Sequence, residues 1–191
     1  VDREIRMRKG DWYQPDASWN LQSAVEHTDL FMRALDVVRN LRQWIRAHSN
    51  AKVYADRYSP LNVRAATLDE ADQIHRRMIQ EFRAVPDLII VRNLKFFRLA
   101  HRRYTKGSAM SEIARRLGIR KDEILAAGDH HNDLTMLDGT FAGLVAAPSN
   151  AIPEVKAMVR RVGGYIAAQS CGLGVLEALR FFERRINEAR K

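Results

Sequence analysis

The chain has 191 residues, 46% of them hydrophobic, and a formal net charge of +9. That suffices for one ordinary domain or two small ones, each with a packed core. No apolar run approaches the ~18 residues that span a bilayer, no stretch of the 191 residues reads as a signal peptide, the opening VDREIRMRKG being charged, and one cysteine, Cys171, allows no internal disulfide.

Taken in chain order, residues 1–20 mix charge with Trp12, Tyr13, Pro15 and Trp19 and read as a short strand or irregular segment with turns. Residues 21–48 predict a helix, with Phe31, Leu35, Val38, Leu41 or Arg42, and Ile45 at three- and four-residue steps. KVYADRYSPLNVRAAT reads as extended, broken at Ser59-Pro60. Thr67 and Glu70 form a capping-box pattern that opens a helix burying Ala71, Ile74, Met78 and Phe82. DLIIV and LKFFRLA read as two strands with a turn at Arg92-Asn93. Together this is an α+β unit over residues 1–103.

Beyond residue 104 the pattern changes. A helix runs from about Gly107 to Leu117, with Met110, Ile113, Ala114 and Leu117 facing inward and Gly118 ending it in the left-handed conformation. EILAAGD, AGLVAA and YIAA are short apolar strands that alternate with helices near Leu134, after Ile152 and over GVLEALRFFERRINEA. Alternation of this kind implies parallel strands with helical crossovers, apolar on both faces. The expected fold class is therefore α/β: a Rossmann-like parallel sheet over residues 104–191, beside the α+β unit.

The densest chemical signal is LAAGDHHNDLTML, residues 125–137. Asp129 stands just past the end of a buried parallel strand, where open α/β sheets place their ligands. Asp133 follows four residues later, with Asn132 beside it. Two carboxylates that converge need a cation or a proton between them, and oxygen ligands on a tight loop suit Mg²⁺. An Asp or Asn before a helix can equally be an N-cap that needs no metal. Upstream, Lys106 opens a helix next to Gly107, an ammonium at a helix N-terminus and so a phosphate site; a surface lysine in a turn has the same spelling. His130-His131 adjoin the acidic loop, but neighbouring residues rarely ligate one ion together. His101 with Arg98, Arg102 and Arg103 reads as a solvated basic strand end in preference to a substrate-lining face, Trp12, Trp19 and Trp44 as packing residues in preference to a stacking surface for a sugar, and Cys171 as a small buried filler.

A lysine before a helix, then a strand ending in GDxxND about one βα unit later, resembles the third and fourth motifs of haloacid-dehalogenase-like hydrolases. AGLVAAPSNAIPEVKAMV is similar to the strand, Asn-Ala turn and helix placed after the acidic motif in type IIB-capped members, and CGLGVLEAL to their closing helix. The resemblance is dense over residues 104–191; residues 50–103 match the inserted α+β cap by layout only, and DREIRMRKGDWYQPDASWN faintly resembles the cap entry of sucrose-phosphate-phosphatase-like members. It implies a Mg²⁺-dependent phosphatase of small phosphorylated metabolites, sugar phosphates above all, working through an aspartyl-phosphate. It also implies roles: Asp129 binds Mg²⁺ directly, Asp133 holds a metal-bound water or orients the loop, Asn132 contacts the substrate phosphate, and Lys106 bridges phosphate and nucleophile.

The family's first motif, Asp-x-Asp-Gly-Thr, and the Ser/Thr of its second belong before the cap, and neither occurs in the 191 residues. LDGT at 137–140 has Met136 where the nucleophile belongs. With Val first and Lys106, Asp129 and Asp133 intact, the chain reads as a fragment, inactive as it stands. The alternative is a non-catalytic binding or regulatory module that keeps the fold. Nucleic-acid binding ranks last, because the basic residues are scattered and no nucleic-acid motif accompanies them. No membrane partner is expected, and the lone thiol suits the cytoplasm. Ser59-Pro60 and the segment near Tyr104 are the expected hinges of a closing cap.

Overall fold

The computed structural model describes residues 4–189, so the first three N-terminal positions lie outside the described residues. The chain divides into two compact units, Val1–Thr105 and Lys106–Lys191.

In the first unit, β1 (Arg6–Lys9) and β2 (Trp12–Pro15) form an antiparallel hairpin. Its turn uses Gly10 at φ +59, a conformation that favours glycine. Asp16 then caps α1 (Ala17–Arg33), its carboxylate accepting from the Trp19 N–H at 2.7 Å. The single helix expected over 21–48 is two, α1 and α2 (Leu35–His48), broken at Ala34. The buried stripe also runs one residue earlier than expected across the break. Leu30 and Ala34 are fully buried, Phe31 only packs against the core, and Leu35 is 43% exposed.

Strands β3 (Lys52–Asp56) and β4 (Ser59–Arg64) follow. The break between them falls at Arg57-Tyr58, where the Asp56 carboxylate accepts from the N–H groups of Tyr58 and Ser59. Ser59 opens β4, and its hydroxyl donates to Leu61 O and accepts from the Leu99 N–H, which ties the Ser59-Pro60 pair to the sheet. Helix α3 (Leu68–Phe82) buries Ala71, Ile74, Met78 and Phe82 as its spacing demands. Thr67 caps it as expected. The Glu70 carboxylate instead reaches the Ala66 and Asn50 N–H groups, both at 2.6 Å, tying the helix start to the end of α2.

β5 (Leu88–Asn93) and β6 (Phe96–His101) turn at Leu94-Lys95, two residues later than expected, with Leu94 at φ +50. The four strands lie in the order β3-β4-β6-β5, all antiparallel. Leu61, Val63, Leu88, Phe97 and Leu99 pack with Val38, Leu41 and Ile45 of α2 and the α3 stripe. At the strand end expected to be solvated, Arg102 and Arg103 are exposed as expected, but His101 is interior. Its backbone N–H donates to Nε2 of fully buried His27 at 3.0 Å.

The second unit opens with α4 (Lys106–Leu117), ended by Gly118 at φ +66. The helix buries Gly107 and Ala114 and sets Met110 against the core, while Ile113 and Leu117, expected inside, are 37% and 57% exposed. Next come β7 (Leu125–Ala127), a 3-10 turn over His131–Asp133, α5 (Leu134–Leu137), β8 (Leu144–Ala147), α6 (Pro153–Arg161), β9 (Tyr165–Ile166) and α7 (Cys171–Ala189). The sheet is parallel throughout, β7-β8-β9. Ala126, Val145 and Ala147 meet Leu137, Val155 and Val159 on one face, and Ala146 meets Ala178 and Phe182 of α7 on the other. Both faces are covered, which is why the strands carry no polar alternation. This is the α/β class with a parallel sheet that the sequence implied. Cys171 is exposed rather than buried.

Candidate active site

The site grows from the end of β7. Gly128 follows the strand with no room for a side chain, because a Cβ there would lie 2.4 Å from Asp133 Cβ. The close approach lets Asp133 fold back: its Oδ2 accepts from the N–H groups of Asp129 at 3.0 Å and His130 at 3.2 Å. The His130 carbonyl in turn accepts from the Asp133 N–H at 2.9 Å. The loop is thus closed on one buried carboxylate.

The other oxygen of that carboxylate meets Lys106. Nζ stands 2.6 Å from Asp133 Oδ1, with the lysine side chain 26% exposed and the aspartate 7%. Lys106 reaches it because it is the first residue of α4, whose start lies against the start of α5. A Cβ on Gly107 would sit 1.9 Å from Thr135 O, and the Gly107 N–H points at Thr135 Oγ1. An ion pair this short and this buried, with two further donors on the carboxylate, is charge-balanced and rigid.

Asp129 differs from Asp133 in every respect that matters for a ligand. It is exposed, and its backbone carbonyl is held by the Ile152 N–H at 3.0 Å. Its Oδ2 faces Asn150 Nδ2 at 3.5 Å. Asp133 has one oxygen engaged by Lys106 and the other by the loop, so Asp129 is the acidic side chain of the loop with an oxygen to offer a cation. Asn132 is half-buried on the same loop. The structure therefore brings Lys106, Asp129, Asn132 and Asp133 to one end of the parallel sheet. His130 is buried with neither ring nitrogen hydrogen-bonded, and the His131 ring stands edge-on to it at 5.0 Å. Among the described residues no three His, Cys, Asp or Glu side chains gather as a metal-binding group. The LDGT segment begins with the last residue of α5, Leu137, and bends over 138–140, with the Thr140 N–H on Asp138 Oδ1.

Asn150 is the site member that sequence reasoning missed. Its signal was present: it follows β8 in Ser149-Asn150-Ala151, on the same sheet end as Asp129.

A family model described as haloacid dehalogenase-like hydrolase matches residues 39–175, well over half the chain. The chain belongs to the haloacid dehalogenase-like hydrolases. Among curated relatives, a phosphoglycolate phosphatase of Methanothermobacter thermautotrophicus is 35% identical over 77 residues, 40% of this chain and 32% of that protein. Among solved structures, the sucrose-phosphatase of Synechocystis sp. has a TM-score of 0.65 at 20% identity, covering 93% of this chain and 70% of that one. A subclass IIB sugar phosphatase, BT4131, has a TM-score of 0.51 at 23% identity, covering 65% and 44%. The fold is that of the type IIB-capped haloacid dehalogenase-like hydrolases. The chain spans 22% of the first curated relative it matches and 34% of another, so it corresponds to a part of their length.

Proposed function

We propose that this chain belongs to a magnesium-dependent phosphatase acting on small phosphorylated metabolites, sugar phosphates in particular. The observation that carries the reading is the Lys106–Asp133 pair at 2.6 Å, which locks the acidic loop and leaves the exposed Asp129 carboxylate beside it. The donor set fits the cation: Mg²⁺ commonly takes one or two carboxylates and fills its other positions with water and phosphate oxygens. When bound at Asp129, Mg²⁺ would supply Lewis-acid stabilisation of phosphoryl charge.

The chain's own residues divide the remaining work. Asp133 orients the loop and holds Lys106. The Lys106 ammonium, at the N-terminus of α4, offers positive charge to a phosphate. Asn132 supplies an amide to the same group. The attacking aspartate, which would carry the phosphoryl group as an aspartyl-phosphate, belongs to an Asp-x-Asp-Gly-Thr motif that these 191 residues do not contain. Residues 1–103 serve as the cap that selects the substrate. A sugar phosphate is favoured by the likeness to the sucrose-phosphatase and to BT4131. A cytoplasmic setting agrees with the exposed free thiol of Cys171, and no described helix is long and apolar enough to cross a membrane.

Phosphate release by the full-length protein from a panel of sugar phosphates and phosphoglycolate tests this. The expected result is Mg²⁺-dependent release that Asp129→Ala abolishes. Release that persists in Asp129→Ala, or an absence of release from every member of the panel, would overturn the reading.

A further inference from the structure

Three loops meet at the end of the parallel sheet, and one side chain joins them. Asn150, in the loop after β8, accepts through Oδ1 from the Cys171 backbone N–H at 2.6 Å. Its Nδ2 faces Asp129 Oδ2 at 3.5 Å, in the loop after β7. A backbone N–H can only donate, so the Cys171 contact decides which end of the amide faces Asp129. That end is the NH₂, a donor aimed at a carboxylate. The opposite orientation would set oxygen against oxygen and nitrogen against an N–H.

The Cys171 N–H is itself held in place. Cys171 adopts φ +52, a left-handed conformation uncommon for any residue but glycine. Such a conformation persists where the surroundings over-determine it, and here they do. The Glu177 carboxylate on α7 accepts from the Tyr165 hydroxyl at 2.7 Å and from the N–H groups of Gln169 at 2.9 Å and Ala168 at 3.1 Å. The Gln169 carbonyl accepts from the Ser149 N–H at 2.9 Å. Gly174 brings α7 onto the same loops, since a Cβ there would lie 2.4 Å from Gln169 O and 2.7 Å from Pro148 Cβ. A continuous set of contacts thus runs from Glu177 through the 168–171 loop to Asn150, and ends on Asp129.

We propose that Asn150 is a positioning residue for Asp129, holding Oδ2 with its amide so that Oδ1 is left for the cation. The inference rests on the reading that Asp129 ligates Mg²⁺. An exposed carboxylate otherwise rotates freely and must be ordered when the ion binds. A fixed amide on one oxygen removes part of that cost and selects single-oxygen ligation. Outer partners of this kind are typically worth about 10- to 100-fold in metal affinity.

The test is Mn²⁺ binding, followed by electron paramagnetic resonance of the free ion, on the full-length protein and its Asp129→Ala, Asn150→Ala and Asn150→Ser variants. The serine hydroxyl stands one bond short of both Oδ1 and Nδ2, so Asn150→Ser, like Asn150→Ala, removes both contacts while keeping a polar side chain, and the circular dichroism shows whether the loops survive. The expected result is no specific binding for Asp129→Ala and about 10- to 100-fold weaker binding for both Asn150 variants, with circular dichroism as for the wild type. Binding by Asn150→Ser equal to wild type, while Asp129→Ala has lost it, overturns this inference alone. Equal binding by wild type and Asp129→Ala, or none by wild type, overturns the Asp129 reading and takes this inference with it.

Discussion

Single residues at the acidic loop have roles that substitutions can separate. Lys106→Met removes the ammonium and leaves a buried carboxylate with only the two backbone donors from Asp129 and His130. The expected loss is about 1–3 kcal/mol of stability in urea unfolding, beyond any loss of turnover. Gly128→Ala drives a methyl to 2.4 Å from Asp133 Cβ. Overpacking of this kind costs about 1–3 kcal/mol, and here it also opens the loop, so metal binding should weaken together with the melting temperature. Glu177 gives a pH signature. Its carboxyl lies below the ordinary value of 4.5, chiefly through the Tyr165 hydroxyl and then the Ala168 and Gln169 N–H groups. The folded state therefore favours the ionised form. Its contribution is complete above pH 4.5 and is lost as pH falls through the lower folded value. Glu177→Gln should melt below wild type at neutral pH, and the gap between the two should close in acid.

At the scale of elements, legibility followed how many residues could compete for a face. In α3 the stripe Ala71, Ile74, Met78, Phe82 has no apolar rival one step away except at Ile79, and the helix lies as its spacing says. Met78→Ala should cost about 2–5 kcal/mol, as truncation of a fully buried side chain does; an unchanged urea midpoint would remove Met78 from the core. Around Ala34 two stripes compete, Leu30-Ala34 and Phe31-Leu35, with identical spacing. Spacing cannot rank them, and the break that rotates α2 relative to α1 decides for the first. In α4 the close approach to α5 is made by Gly107, and Ala114 is the other buried residue of the helix. A reading that weights large apolar residues adds Ile113 and Leu117 to the inward face beside Met110 and Ala114, and only the latter two lie inward. His101 was misread because its partner, His27, lies 74 positions away and nothing local announces the pairing.

For the whole molecule, the parallel sheet was readable because its strands are apolar on both faces and alternate with helices, a pattern that no antiparallel hairpin shares. The acidic loop was readable as a pattern, yet the pattern left metal and N-cap open. Geometry separates the two carboxylates, one consumed by Lys106 and the loop, the other exposed beside Asn150. That division could not be read from spacing, since both aspartates are spelled alike. The contribution of Asn150 was hidden for a related reason: its partners Asp129 and Cys171 each lie 21 positions away, and only the parallel sheet brings them together.

The central claim is that Lys106, Asp129 and Asp133 form the metal and phosphate side of a phosphatase site. The most direct measurement is phosphate release by the full-length protein as Mg²⁺ is titrated after chelation, in wild type and in Asp129→Asn, which keeps the shape of the side chain and removes its charge. The predicted result is release that rises and saturates with Mg²⁺ in the wild type, and a variant for which no Mg²⁺ concentration restores wild-type turnover. Equal release from the chelated and the Mg²⁺-loaded wild type, or from the variant and the wild type, would contradict it.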